Sequence, residues 1–508
     1  MLKRVLTAVF AVVAFAAMAA PALAKKGQLS IFQDDFVLRG SGNDARTAGL
    51  NELDGLGVDV LKVTANWRTL APGGNDKPAG FDGADPADYS AGAWAPYDDL
   101  IRDAQARGMR VMLMLGALAP DWASGSGGIP GSKRPDVGEF RKFVKAVGTR
   151  YSGSYSATGV SDTPGPPPPD DPDLPLPLPA QASPAQAGTG LPRVDIWSAW
   201  NEPNLGNWLS PQHSGGRPYA PHHYRRLVYA ADAGLSASGH GGDTYLIGEL
   251  VPFGAADNRI RPLEFIREMA CVNRRFRPFH GKQARKRGCD NFRKLPGTGL
   301  AHHPYTLAGG PNVVPEHRDD VPIAYLNRMV KTLRKLGRKN RLEHQRMKVW
   351  LTEFGYQTDP PDFFQTPIGK VPGFMGLSEW LAWRNPHVAS YSQYLLRDEQ
   401  DRGGFQTGLR FHGGKAKPGV YNAYRLPFFV RLGRGRKIEV WGGVRTAGSG
   451  RQVTIQSRSG GKWRKLGTAT TAKRGYFKKN FRVSRAGKRK YRFKTGGRTS
   501  IKLRAVRR

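Results

Sequence analysis

The sequence has little cysteine, little acid in its last 78 residues, and no apolar run beyond the N-terminus long enough to cross a membrane. Cys271 and Cys289 are its two cysteines, and they stand close together in the chain. In an exported protein such a pair predicts a disulfide, with half of a metal site that includes His280 as the alternative. Without about 18 consecutive apolar residues, the mature chain is predicted to have no transmembrane span.

The N-terminus is typical of a secretory signal peptide over residues 1–24. Lys3 and Arg4 precede the apolar run VLTAVFAVVAFAAMAA, and Ala22-Leu23-Ala24 supplies the small residues of a cleavage site. We therefore expect an exported protein that works in the secreted or extracellular space.

The formal net charge of the chain is +37, and most of it belongs to the C-terminal segment. Residues 431–508 contain 26 lysines and arginines against a single acid, Glu439. In an exported protein, this basic module favours contact with an anionic cell envelope or an acidic polysaccharide, and no nucleic acid is expected as a partner. A solvated basic surface with no partner is the alternative.

Short apolar runs alternate with helical stretches about eight times over residues 25–430. For example, VDVLKVTANW (58–67) reads as a strand, YDDLIRDAQARG (97–108) as a helix, and MRVMLMLGA (109–117) as a strand buried on both faces. This alternation predicts an α/β fold, a (β/α)₈ TIM barrel. A doubly wound sheet is the competitor, but its G-x-G-x-x-G loop is missing because the glycines of RGSGNDARTAG have the wrong spacing.

Two segments depart from this alternation. Residues 162–191 are rich in proline and lack any periodicity, which predicts an extended surface insertion, with a docking site for a partner as the alternative. Residues 438–508 form short alternating strands separated by glycine and serine turns at roughly ten-residue spacing. They predict a small antiparallel β-sandwich that carries the lysines and arginines on its outer faces.

Candidate working residues stand where the predicted strands end, which is the face of a barrel that carries active sites. Glu202 follows the fourth apolar run and Glu353 the seventh, while Glu249 ends the fifth and either enters the site or pairs with a loop cation. Two carboxylates among aromatic rings are the equipment of glycoside hydrolysis. No set of three residues has metal-ligand spacing, so we expect no metal and no cofactor. Candidate stacking residues are Trp67, Trp122, Trp208, Trp380 and Phe405, with burial in the core as the alternative for the four tryptophans.

The motifs WNEPN (200–204) and LTEFGY (351–356) resemble the acid/base and nucleophile motifs of clan A glycoside hydrolases, the retaining TIM-barrel superfamily of cellulase-like and β-xylosidase-like enzymes. The resemblance covers about residues 28–430 and implies that Glu202 is the general acid/base and Glu353 the nucleophile. It further implies that Asn201 binds the sugar 2-hydroxyl. His303-Pro304-Tyr305 matches the family's H-x-Y at the end of strand six, where Tyr305 would orient the nucleophile.

One feature departs from the family pattern. Many members end the eighth strand on a tryptophan that forms the floor of the sugar subsite, whereas this chain has GGFQTGL there. Phe405, or Trp380 from the preceding segment, would take its place.

The sequence therefore predicts a secreted retaining glycoside hydrolase acting on a poly- or oligosaccharide. Its two carboxyl groups are expected about 5–5.5 Å apart. A non-catalytic carbohydrate or cell-wall binding protein on the same barrel is the alternative, and a binder of anionic polymers through the C-terminal module is a third reading.

Overall fold

The computed structural model describes residues 27–156, 190–255, 258–363 and 365–507. The predicted signal peptide lies outside these residues, as does the predicted proline-rich insertion except for residues 190 and 191. Within the described part of the chain, no helix combines the length and the apolar character that crossing a membrane requires.

Eight parallel strands form one sheet in the order β8-β1-β2-β3-β4-β5-β6-β7. A parallel bridge between Val349 and Val388 links the segments that carry the last two strands. This is the predicted TIM barrel. Its strands are β1 (Leu29–Gln33), β2 (Val60–Asn66), β3 (Arg110–Gly116), β4 (Ile196–Ala199), β5 (Thr244–Leu250), β6 (Gly299–His302), β7 (Lys348–Leu351) and β8 (Ser390–Tyr394).

A helix follows each strand along the chain and covers the outside of the barrel. Their apolar faces pack on the outward side chains of the strands in one large core. Cys271 and Cys289 form the predicted disulfide, which closes a loop after the fifth helix. The helices are α1 (Asn43–Gly55), α2 (Ala91–Ala106), α3 (Val137–Arg150), α4 (Ala220–Ala237), α5 (Pro262–Met269), α6 (Leu326–Arg338), α7 (Val371–Trp383) and α8 (Val420–Arg425).

The barrel interior changes from apolar to polar towards the carboxyl ends of the strands. An apolar layer of inward side chains lies deeper in the barrel. The next inward position, two residues further along the chain, is polar on β1, β2 and β4 and just past β6. These polar residues are Gln33, Lys62, Ser198 and His303. This polar layer is the floor of the candidate site. The apolar layer consists of Ile31, Val60, Met112, Ile196, Leu246 and Ala301.

A β-bulge in β5 changes which side chain enters the barrel. Leu246 points inward and Ile247 outward, so regular alternation would place Glu249 outside. The pairing of β5 with β6 shifts register between Ile247 and Leu250. Gly248 has φ +119°, and a Cβ there would lie 2.5 Å from the carbonyl oxygen of Ala301. The bulge, which glycine makes feasible, turns Glu249 into the interior.

The C-terminal module is a sandwich of two mainly antiparallel sheets, as predicted, but its first strand comes earlier than residue 438. The strand Phe428–Leu432 pairs with Lys437–Gly443, and its alternate residues Phe428 and Val430 enter the sandwich core. The first sheet has the order β13-β10-β9-β17, and the second has β12-β11-β14-β15 with β16 also on β14. These strands are β9 (Phe428–Leu432), β10 (Lys437–Gly443), β11 (Gln452–Ser459), β12 (Lys462–Thr470), β13 (Tyr476–Arg482), β14 (Lys490–Thr495), β15 (Arg498–Thr499), β16 (Leu503–Arg504) and β17 (Val506–Arg507).

The first sheet of the sandwich packs on the barrel through an apolar and ionic interface. Trp380 of α7 packs against Phe429 with ring centroids 4.7 Å apart and ring planes tilted by 39°, beside the ring of Trp441. Within this interface, the buried Glu379 accepts hydrogen bonds from Arg445 at 2.9 Å and from Tyr476 at 2.6 Å.

The module also reaches the end of the barrel where the strands begin. Arg474 forms an ion pair with Asp59, which directly precedes β2. The backbone of Arg445 lies against Gly57 in the same turn. The sandwich is therefore held on the side and the amino-terminal end of the barrel, and the opposite mouth carries the candidate site.

We expect Arg445→Ala to lower the free energy of unfolding by about 3–5 kcal/mol, because it leaves Glu379 as a buried charge without its cationic partner. Urea unfolding of the whole chain measures the change. Lys462→Ala, at an exposed position of β12, is the control and should change the value by less than about 0.5 kcal/mol. Equal stabilities of the two variants would contradict an interface that depends on this pair.

Candidate active site

The structure brings together most of the side chains that the strand ends predict. Glu202 follows β4, His303 and Tyr305 follow β6, and Glu353 follows β7. Asn201 is buried directly before Glu202. The nearest side-chain donor atoms of Glu202, His303 and Glu353 all lie within 4.8 Å of one another. The two glutamates therefore open onto one small space at the carboxyl end of the barrel.

The imidazole of His303 joins the two glutamates. Its Nδ1 lies 2.9 Å from Oε1 of Glu202 and 2.9 Å from Oε2 of Glu353. The indole nitrogen of Trp208 donates to the other oxygen of Glu202 at 3.1 Å. One nitrogen thus faces both carboxylates, which holds them at a fixed separation.

A second, fully buried group of charges lies beneath this imidazole. The Nε2 of His303 lies 2.6 Å from Oε2 of Glu249. The same oxygen accepts hydrogen bonds from the ammonium of Lys62 at 3.1 Å and from the hydroxyl of Thr352 at 2.6 Å. Lys62 is also 4.0 Å from Oε2 of Glu353. Glu249 therefore enters the site, which resolves the alternative that the sequence left open.

The charges in this cluster determine its protonation. Burial disfavours a charged imidazole, but the carboxylates of Glu353, Glu202 and Glu249 raise the pKa of His303 well above its usual value. Burial likewise disfavours a charged Glu353, yet His303 and Lys62 lower its pKa below the usual value. The structure therefore favours an imidazolium next to an ionised Glu353.

Several residues at the strand ends have left-handed backbone conformations that side chains other than glycine rarely adopt. Glu202 has φ +39° and Glu249 has φ +51°, and Trp200, between β4 and Glu202, has φ +62°. Ala117 after β3 and Leu395 after β8 are similar, with φ +70° and +71°. Each such conformation costs about 1–3 kcal/mol, and such strain concentrates at functional sites. Here the left-handed conformation turns the side chains of Glu202 and Glu249 towards the barrel axis.

Two tyrosines complete the surroundings of Glu353. Burial and the Glu353 carboxylate raise the pKa of Tyr305 and of Tyr394 well above the usual value, so both hydroxyls stay protonated next to the carboxylate. Tyr394 ends β8, the position for which the sequence suggested Phe405 or Trp380. Phe405 is 44% exposed and lies edge-on to Tyr394, with ring centroids 5.2 Å apart. Tyr394 thus lies at the strand end itself, and the role of the exposed Phe405 beside it in stacking stays a prediction.

The structure contradicts the stacking role for two of the candidate tryptophans, Trp67 and Trp380. Trp67 is 1% exposed, because its ring packs between β2 and α3 against Phe143 at 5.7 Å. Trp380 is 2% exposed in the interface with the C-terminal module. Neither ring has a face for a sugar. Trp122 is half-buried with its ring edge-on to Trp67, and its role in binding stays a prediction.

Sequence reasoning missed Lys62 and Tyr394 as members of the site. The signal for Lys62 is a lysine inside the apolar strand VLKVTAN, two residues from the inward Val60. Tyr394 carries no comparable signal, since a tyrosine in a strand is common in any core. A cation could be held by Glu202, His303 and Glu353 only after the proton on Nδ1 leaves, because a protonated nitrogen has no free lone pair.

No protein-family model and no curated protein matches the sequence. Solved structures with a similar fold include GH5_18 from Streptomyces cattleya in complex with GlcNAc, with 14% identity, 78% of this chain and 81% of that chain covered, and a TM-score of 0.44. A GH30 endoxylanase from Clostridium papyrosolvens C71 has 11% identity, 90% and 95% coverage, and a TM-score of 0.41. A beta-glucosidase from Exiguobacterium marinum has 15% identity, 74% and 84% coverage, and a TM-score of 0.42. At such identities the activity has to be argued from the geometry of the site.

We expect His303 to carry protons on both ring nitrogens at pH 7, because three carboxylates surround it. Its neighbour His302 is the internal control, since burial lowers the pKa of His302 to about 4 and leaves its ring neutral at the same pH. Nitrogen-15 NMR of the histidine side chains distinguishes the two states. A neutral ring at both positions would contradict the electrostatics described above.

Proposed function

We propose that this protein is an exported retaining glycoside hydrolase. The observation that carries the proposal is that the carboxyl groups of Glu202 and Glu353 face one ring nitrogen of His303, each at 2.9 Å, at the mouth of a TIM barrel. Their nearest oxygens lie within 4.8 Å, which is close to the separation of about 5–5.5 Å typical of retaining enzymes and below the 6.5–9.5 Å of inverting ones. Such a gap leaves no room for a water between the second carboxylate and the sugar.

In the first step, the ionised Glu353 attacks the anomeric carbon of the sugar. The bond between this carbon and the glycosidic oxygen breaks, and the oxygen takes a proton from Glu202 as it leaves. The product is an ester between the sugar and Glu353. In the second step Glu202 removes a proton from water, the water oxygen bonds to the anomeric carbon, and Glu353 is released as a carboxylate.

The neighbouring residues support this chemistry. Glu353 needs a low pKa to be a nucleophile, and His303 and Lys62 provide the positive charge that lowers it. Tyr305 keeps its proton and can orient Glu353 as a donor. We assign to Asn201, which is buried directly before Glu202, the binding of the hydroxyl next to the anomeric carbon. Tyr394 offers the ring for the sugar at the end of β8.

We expect Glu353→Gln to abolish turnover of aryl glycosides by the mature chain. Glu202→Ala should keep part of its activity on substrates with a good leaving group, because such a group departs with little protonation. Azide should accelerate this variant and yield a glycosyl azide of retained configuration, identified by proton NMR. Near wild-type rates in both variants refute the proposal, and sugar binding without turnover in the wild type would indicate a binding protein.

We further propose that the C-terminal module holds the enzyme on an anionic polysaccharide. The second sheet of the sandwich turns Ile455, Tyr491 and Phe493 inward, so the alternate residues of β11, β12, β14 and β16 face solvent. We call this outer surface the basic face. Its cations are Arg458, Lys465, Lys490, Arg492, Lys494 and Arg504.

The composition of the basic face favours a polysaccharide among anionic partners. No acid occurs in the sequence after Glu439, so no carboxylate of this module neutralises the face. The guanidinium of Arg492 lies 4.1 Å from the ring centre of the half-buried Trp463. Aromatic rings pack well on sugar rings, and cations pair with carboxylates of uronic acids. The face therefore combines both features that an acidic polysaccharide requires.

We expect the triple variant Lys465→Gln, Lys490→Gln, Lys494→Gln to lose retention on immobilised polygalacturonate. The matched control replaces three exposed cations by glutamine and has the same net charge: Lys331 and Arg338 on α6, and Lys339 directly after it. Wild-type retention should fall steeply with salt, because screening limits exposed charges to about 10 Å at 0.1 M. Equal loss in both triple variants, or retention on anionic lipid vesicles alone, would refute this proposal.

A further inference from the structure

Lys62 and Glu249 form a buried ion pair that the proposed reaction does not use directly. Both side chains are 0% exposed and lie in the barrel interior beneath the two glutamates. Burying two charges is costly, and a buried pair can often be replaced by apolar side chains of similar volume without loss of stability. Stability therefore gives little reason for an ion pair at this place, and its position beneath His303 suggests another role.

The geometry of Glu249 shows what the pair controls. Its Oε2 receives hydrogen bonds from three strands or strand ends: Lys62 on β2, His303 after β6 and Thr352 after β7. The bulge with Gly248 is what turns this carboxylate inward. These three donors hold Oε2 of Glu249 in one position. This oxygen in turn keeps a proton on Nε2 of His303 and sets the rotation of the imidazole ring. The Nδ1 is thereby directed at the gap between Glu202 and Glu353.

We propose that Glu249 and Lys62 are positioning residues for the hydrolytic reaction, which hold His303 as an oriented imidazolium between Glu202 and Glu353. This inference rests on the proposed function and adds the residues that set the geometry of its site. Neither Glu249 nor Lys62 exchanges a proton with the substrate. Glu249 holds the imidazolium from below, and Lys62, whose own charge opposes that of the imidazolium, acts by fixing Glu249.

The arrangement suits a reaction in which negative charge moves from one glutamate to the other. Glu353 loses its charge when it forms the ester, and Glu202 becomes a carboxylate when it gives up its proton. Because Nδ1 lies 2.9 Å from an oxygen of each glutamate, its proton stays close to whichever of the two carries the negative charge. The charge pattern of the barrel floor remains constant throughout.

The pH dependence involves every charged or titratable group around the imidazole. These are Glu202 from β4, Glu249 from β5, Glu353 from β7 and Lys62 from β2, together with the adjacent His302 and Tyr305. Removing the charge of Glu249 lowers the pKa of His303, so the alkaline limb of kcat/KM moves to lower pH. Removing the charge of Lys62 raises the pKa of Glu353, so the acidic limb moves to higher pH.

The test compares Glu249→Gln with Glu379→Gln, a matched change of a buried glutamate in the interface with the C-terminal module. We expect Glu249→Gln to lower kcat roughly 100-fold with KM changed less than about threefold, and to shift the alkaline limb downward, because a misplaced group costs turnover rather than affinity. Glu379→Gln should keep wild-type kcat and both limbs. Lys62→Met should shift the acidic limb upward.

Several outcomes would overturn the proposal. One is a Glu249→Gln variant with wild-type kcat and unshifted limbs whose only defect is a lower melting temperature, because that describes a structural pair. If this variant does not fold, nitrogen-15 NMR of the wild type decides: a singly protonated His303 at pH 7 overturns the proposal, and two protonated nitrogens together with the Lys62→Met shift support it. A wild type inactive on every aryl glycoside refutes instead the proposed function.

Discussion

The site depends on one buried proton, the one on Nδ1 of His303. It lies between the carboxyl groups of Glu202 and Glu353, whose nearest oxygens are less than 5 Å apart. The carboxylate of Glu353 favours the charged imidazole from one side, and Glu249, which accepts a hydrogen bond from Lys62, holds its other nitrogen. The buried charges at the base of the site thus form one connected network, in which each charged side chain has an oppositely charged neighbour that offsets the cost of its burial.

The barrel provides such a set because its strands are parallel and all end at one mouth. Inward positions come every second residue, so neighbouring strands place side chains in layers. Here the lower layer is apolar, and the layer above it carries Lys62 and His303. Regular strands cannot deliver every group, however. Glu249 reaches the interior through a bulge, and Glu202 faces the axis only in a left-handed conformation. The backbone is strained at Glu202 and Glu249, the two residues whose side chains regular strands would not direct into the site.

These irregularities also explain which parts could be predicted from the sequence. The alternation of apolar and helical segments is a property of the regular strands, so the barrel follows from it, and Glu202 and Glu353 follow from motifs at strand ends. Glu249 could not be assigned, because period-two alternation puts it outside and only the bulge reverses this. Trp67 and Trp380 look like stacking residues in sequence, but their rings lie in the core outside the barrel and in the interface with the sandwich. The first sandwich strand, Phe428–Leu432, follows the eighth helix so closely that its apolar residues read as part of the barrel.

The placement of the C-terminal module separates its charge from the chemistry of the barrel. The module is fixed to α7 by the Glu379–Arg445 pair and to the turn before β2 by Arg474 and Asp59. That turn lies at the amino-terminal end of the strands, whereas Glu202 and Glu353 lie at the carboxyl end. The cations of the basic face stand on the second sheet, one layer further from the barrel, and at ordinary salt their field is screened within about 10 Å. A site with three glutamates and a strongly basic module can therefore coexist in one chain, because the basic face lies on the far sheet of the sandwich and salt screens its charges.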